Sequence, residues 1–182
     1  MTEPALLDAV QRGDHERARA LLQQGATPWA TSHALLAAAI KREDPAMVEL
    51  LLRAGADVNA PGPFDAPVLL DAAVAGDVAV GRLLLQHGAR VDVLDPRTST
   101  TPLLEAARFG NGPMVELLVQ HGANINAVDV DGHNAHTLAR YNLHDPAAAV
   151  CARLGITPQP QFDALVAETR AAIAQASGHN VT

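Results

Sequence analysis

Cysteine occurs once in this 182-residue chain, at Cys151, which excludes an internal disulfide framework and any metal site built on several thiolates. Aromatic residues make up only 3% against a hydrophobic total of 48%, so bulky rings cannot fill the core. Ala and Leu must make it, through close contact of small and aliphatic side chains. Positive charge is also in deficit. Thirteen basic side chains face twenty acidic ones, a formal net charge of −7, which disfavours phosphate backbones and anionic membranes, so neither nucleic acid nor membrane is expected as a partner. Lys41 is the only lysine, and the Arg-with-Ala bias is what a GC-rich coding sequence produces, pointing to a bacterial source. No apolar run approaches membrane-spanning length, and Met1 to Pro4 leads into no basic or apolar export stretch, so a cytoplasmic location is expected. Gly-rich phosphate cradles, a Gly-x-Ser-x-Gly elbow and a paired His-Glu helix motif are absent as well.

What is present is a period. Leu-rich stretches end in glycine at Gly25, Gly55, Gly88, Gly122 and Gly155, spaced 30, 33, 34 and 33 residues apart. Spacing of that size marks stacked repeats. Each glycine follows a run such as Leu50-Leu51-Leu52 or Leu117-Leu118-Val119, where a helix must stop and the chain must enter a left-handed turn. Aligned on the glycines, Leu6-Leu7-Asp8-Ala9, Leu35-Leu36-Ala37-Ala38, Leu69-Leu70-Asp71-Ala72 and Leu103-Leu104-Glu105-Ala106 fall in register as the first helix of each unit. Breaks follow at Gly13-Asp14, Glu43-Asp44-Pro45, Gly76-Asp77 and Gly110-Asn111, where Asp or Asn is expected to accept hydrogen bonds from the next helix. The longest connectors, Asn59 to Ala66 and Val93 to Thr100, carry Pro61-Gly62-Pro63 and Asp95-Pro96 and should project as loops.

On these residues the chain resembles the ankyrin repeat family. The fourth unit is the best match, with Thr101-Pro102-Leu103, Glu105-Ala106-Ala107, Val115-Glu116-Leu117-Leu118 and Gly122-Ala123-Asn124-Ile125-Asn126, and Gly55 to Ala60 carries the same phrase. Thr101 can cap a helix whose first turn tolerates Pro102, because that position has no use for an amide hydrogen. The resemblance spans about Pro4 to Ile156 and implies an all-α solenoid of helical hairpins. Its units lie at about 4–30, 31–65, 66–99, 100–132 and 133–157. The chain departs from the pattern in three places. Leu7, Leu36, Leu70 and Leu104 replace the family's usual histidine, the first finger is stunted around Trp29, and the fifth unit has Ala147-Ala148-Ala149-Val150 for its second helix. Beyond Pro158, the apolar residues Phe162, Leu165, Val166, Ile173 and Ala176 recur at helical spacing, predicting an amphipathic helix over 158–177 that caps the open end. The alternative role is docking on another chain. Residues 178–182 are expected to be a loose tail.

Such a stack implies a noncatalytic protein-binding module whose partner lies on the concave face of finger tips and first-helix ends. Sequestration, inhibition or scaffolding is the expected outcome, including an immunity-type inhibitor of a toxic bacterial enzyme. Here that face offers Phe64, Asp65, Arg97, Asp131 and His133 on fingers and Arg108, Phe109 and Tyr141 on helix ends. Aromatic residues and Arg are typical interface anchors. The expected patch is centred on Arg108, Phe109 and Tyr141, on a monomer. His133 and His136 are the best-spaced histidine pair, but no third ligand accompanies them, so neither metal nor cofactor is expected. Cys151 falls where other units carry a buried aliphatic. The rival readings are a groove enzyme using Asp71, Glu105, His133 or His136, and self-assembly through the last helix.

Overall fold

A computed structural model of the chain describes residues 3–62, 66–95 and 98–178. Its helices come in pairs: α1 (Glu3–Arg12) with α2 (His15–Gln23), α3 (Ser32–Lys41) with α4 (Pro45–Arg53), and α5 (Val68–Ala75) with α6 (Val78–Gln86). The series continues with α7 (Pro102–Arg108) beside α8 (Gly112–Gln120) and α9 (Ala135–Tyr141) beside α10 (Asp145–Arg153). First helices touch one another in the order α1, α3, α5, α7, α9, and α4, α6, α8 and α10 form a second row. After a 3-10 turn at Pro160–Phe162, α11 (Asp163–Gly178) extends the first row by packing on α9. Among the described residues no strand forms; Val128 and Asn134 make an isolated antiparallel bridge. The all-α solenoid read from the glycine period is therefore what the chain builds, and no described helix is long and apolar enough to cross a membrane.

Local chemistry explains the units. The five periodic glycines sit just beyond α2, α4, α6, α8 and α10 with φ between 83° and 91°, the left-handed exit a side chain would resist. Asp14, Asp44 and Asp77 accept hydrogen bonds from the amides of Arg17, Met47 and Val80 at 2.9–3.0 Å, capping the second helices. Thr101 caps α7 by accepting from the Leu104 amide at 3.3 Å. Asn111 does not follow this pattern. Its side chain makes no cap bond to α8 but turns back across the stack, donating to the carbonyls of Ala73 (2.8 Å) and Val74 (3.1 Å) at the end of α5. An amide can donate where a carboxylate cannot, and the open carbonyls of α5 are better satisfied by it.

Successive fingers are also tied together. The Asn59 side chain accepts from the Arg90 amide (3.0 Å) and donates to the Gly88 carbonyl (2.9 Å), and one unit later Asp92 accepts from the Asn124 amide (2.9 Å). Between the first two units, where the connector is short, a 3-10 turn at Trp29–Thr31 brings Ser32 into the same role, accepting from the Asp57 amide at 2.9 Å.

The core is continuous but unevenly buried. Helix α8 fully buries Met114, Val115, Leu117 and Leu118, whereas α2, at the uncovered end, buries Ala18 alone. At the other end Val166 is the one buried residue of α11 among those described, and residues 171–176 are exposed. Each unit of a linear stack draws stability from its neighbours, so opening should begin at the ends. Amide hydrogen exchange is expected to be fastest in α2 and the second half of α11 and slowest in α8; uniform protection along the chain would contradict this.

Candidate protein-binding groove

Among the described residues, exposed large apolar side chains lie on connectors, fingers, first-row helix ends and α11. Val74, Phe109 and Tyr141 lie at first-row helix ends, Leu143 in the turn that follows, Leu94, Val128 and Val130 on fingers, Trp29 in the short first connector, and Leu165 and Ile173 on α11. None lies on α2, α4, α6, α8 or α10 among the described residues. Those helices instead expose charges such as Glu16, Arg17, Arg53, Arg82 and Arg153, the last paired with Glu116. Leu143 holds φ at +65°, so an exposed leucine sits at a left-handed position that costs it about 1 kcal/mol.

At the α11 end the fingers and first-row helices enclose a cleft of about 520 Å³, lined by Arg108, Asp131, His133 and Tyr141 together with Asp129, Leu138, Asn142, Phe162 and Leu165. Four of the residues singled out in the sequence thus converge. Phe109 is half-exposed but does not line this cleft. Phe64, Asp65 and Arg97 lie outside the described residues.

Asp129 organises the cleft. Its side chain is nearly buried, and Oδ1 accepts from the amides of Asp131 (3.0 Å) and His133 (2.9 Å), fixing the last finger. Its Oδ2 faces His133 Nδ1 at 3.4 Å and Arg108 Nη2 at 3.6 Å. The ring of His133 meets Phe162 edge-on, with centroids 4.4 Å apart, and lies nearly parallel to Tyr141 at 6.3 Å. Arg108 Nε is buried and makes no hydrogen bond, its nearest carboxylate being Glu105 at 3.8 Å. Donor atoms of Asp129, Asp131 and His133 fall within 4.8 Å of one another. Two amides already donate to Asp129 Oδ1, and the Arg108 guanidinium lies beside its Oδ2.

The linker to α11 is fastened beneath the cleft by Gln159. Its Oε1 accepts from the Asn134 amide and the Thr137 hydroxyl, both at 2.8 Å, and its Nε2 donates to the Gly132 carbonyl at 3.0 Å. Ion pairs Arg140–Asp163 (2.7 Å) and Arg170–Asp145 (2.5 Å) hold α11 itself. Sequence reasoning placed Phe162 on an amphipathic helix without seeing that it closes a cleft, and it missed Asp129. A signal for Asp129 existed: Asp95, 34 residues earlier at the same register, is also buried.

Burial alters acidity at groups elsewhere in the stack. Burial raises the Asp71 carboxyl above its ordinary value, with His33, 3.9 Å away, opposing the shift. Burial and Arg140 lower His136. The Cys151 thiol is fully buried and pushed up to about 11, so it behaves as an apolar filler of α10. What the cleft offers is recognition chemistry: ring faces, one guanidinium and carboxylates.

The model of the family described as ankyrin repeats (3 copies) matches residues 35–129 and 69–155. No curated protein matches the chain. Paired helices, glycine exits and finger ladder agree with that match, and the chain belongs to the ankyrin repeat family, whose repeats generally act as protein–protein interaction modules.

Proposed function

We propose that this chain is a noncatalytic, monomeric module that holds a protein partner in the groove between its fingers and first-row helices, with α11 capping the row, so as to sequester, inhibit or scaffold that partner. The observation that carries this reading is the distribution of exposed apolar side chains: among the described residues Trp29, Leu94, Phe109, Val130 and Tyr141 lie on connectors, fingers and first-row helix ends, and none lies on α2, α4, α6, α8 or α10. Isolated exposed apolar residues are ordinary, but ten among the described residues on connectors, fingers, first-row helix ends and α11, with none on α2, α4, α6, α8 or α10, is the pattern of an interface. Because the fingers are hydrogen-bonded to one another before any partner arrives, little ordering is lost on association.

Affinity capture from cell lysate, run in parallel with a Phe109→Ala, Tyr141→Ala double variant, tests it. Each truncation is expected to cost about 2 kcal/mol of binding, roughly thirtyfold, while the melting temperature stays nearly unchanged. A partner retained equally by wild type and double variant would remove these two residues from the interface.

A further inference from the structure

We propose that the cleft between the last finger and α11 receives a basic side chain, Arg or Lys, from a segment of the protein partner. This rests on the groove being the partner face and names the chemistry one part of it selects. Charge is the first argument. Arg108 is faced by Asp129 at 3.6 Å and Glu105 at 3.8 Å, so its charge is already answered by two carboxylates. Asp131 stands exposed on the rim with no ion-pair partner among the described residues. Arg140, the cation that follows on α9, is taken by Asp163 at 2.7 Å. The carboxylates of Glu105, Asp129 and Asp131 thus stand around the single guanidinium of Arg108.

The second argument is the wall material. Tyr141, His133 and Phe162 bring three rings to the cleft, with His133 4.4 Å from Phe162 and 6.3 Å from Tyr141. An acidic occupant would meet the surplus carboxylates. An apolar occupant would desolvate Asp131 without replacing its water. A basic one satisfies both surfaces: its alkyl stem lies along Leu165 and Phe162, its cation lies against a ring face, and Asp131 supplies the counter-charge.

The test uses the full chain, isotopically labelled, and four acetylated and amidated pentapeptides of alanine carrying Arg, Lys, Glu or Leu at the centre. Arg and Lys peptides are expected to shift the amide resonances of Asp131, His133 and Asn142, with binding that weakens as salt is added. Asp131→Asn, and separately Tyr141→Leu, which keeps apolar bulk but removes the ring, should each weaken the Arg peptide about fivefold. A Glu or Leu peptide that binds these amides as tightly as Arg would overturn the basic specificity and leave the groove as partner face standing. Absence of shifts with all four peptides, or Arg binding undiminished in Asp131→Asn, would overturn the proposal outright. Failure of the groove itself would appear separately, in a captured partner indifferent to Phe109.

Discussion

Replacing Leu117 by alanine lowers the free energy of unfolding by about 2 to 5 kcal/mol, among the largest effects a single truncation can have in this chain. Leu117 is 2% exposed in the middle of the stack, and α8 packs there directly on α6. The approach is close because Gly81 presents no side chain: a Cβ on it would lie 2.8 Å from Met114 Cε and 3.2 Å from Leu117 Cδ2. Truncating Leu117 therefore opens space between two helices whose flanking units hold them in place, and the lining cannot collapse fully into the gap. Urea unfolding followed by circular dichroism checks the loss. Cys151 gives a second readout, since a fully buried thiol is alkylated only when its unit opens, and Leu117→Ala should speed that reaction. A change within about 0.5 kcal/mol would mean that the second row is not a packed core at this point.

Gly76→Ala is the other large expected effect, about 2 to 3 kcal/mol, and it arises from backbone and clasp together. At φ +71° an alanine is strained, and its Cβ would lie 2.5 Å from Asn111 Oδ1. Relieving that contact pushes away the amide that donates to Ala73 and Val74, leaving the last carbonyls of α5 open. Gly122→Ala supplies the control. Its φ is +87°, but nothing lies within 4 Å of the added carbon, so it should lose only the conformational part, about 1 kcal/mol. Thermal melts of the two variants then measure the clasp by difference. Equal losses would show that Asn111 contributes nothing to holding neighbouring units together.

These two residues also show where the sequence was informative. Leu117 belongs to a Leu-rich run that repeats every third of a hundred residues or so, and a burial pattern tied to period is legible from one chain. Glycine exits, aspartate caps and the Thr101 cap are local chemistry, written within four residues, and they stand as read. Asn111 was misread because the identity of its partner is settled 37 or 38 residues away, where α5 ends, not by the helix it precedes.

The groove was legible only in outline, and for a geometric reason. Phe109 and Tyr141 both lie at first-row helix ends, but Tyr141 shares its register with Arg108, two residues before the left-handed turn, and Phe109 is one residue further on. One residue is about 100° around a helix, enough to put Tyr141 and Arg108 in the cleft and leave Phe109 outside it. Phe162 reached the cleft through a linker fastened by Gln159, and no periodicity announces a contact of that kind.

The hydrogen bonds from Asn59 to the Gly88–Arg90 segment and from Asp92 to Asn124 have a consequence for selectivity. A guest that fits poorly at one finger cannot be accommodated by bending that finger alone, because its displacement is handed on to the neighbour. Mismatch is spread over several units and its penalty grows with each of them, so the array should reject near-misses more sharply than a row of independent loops offering the same side chains.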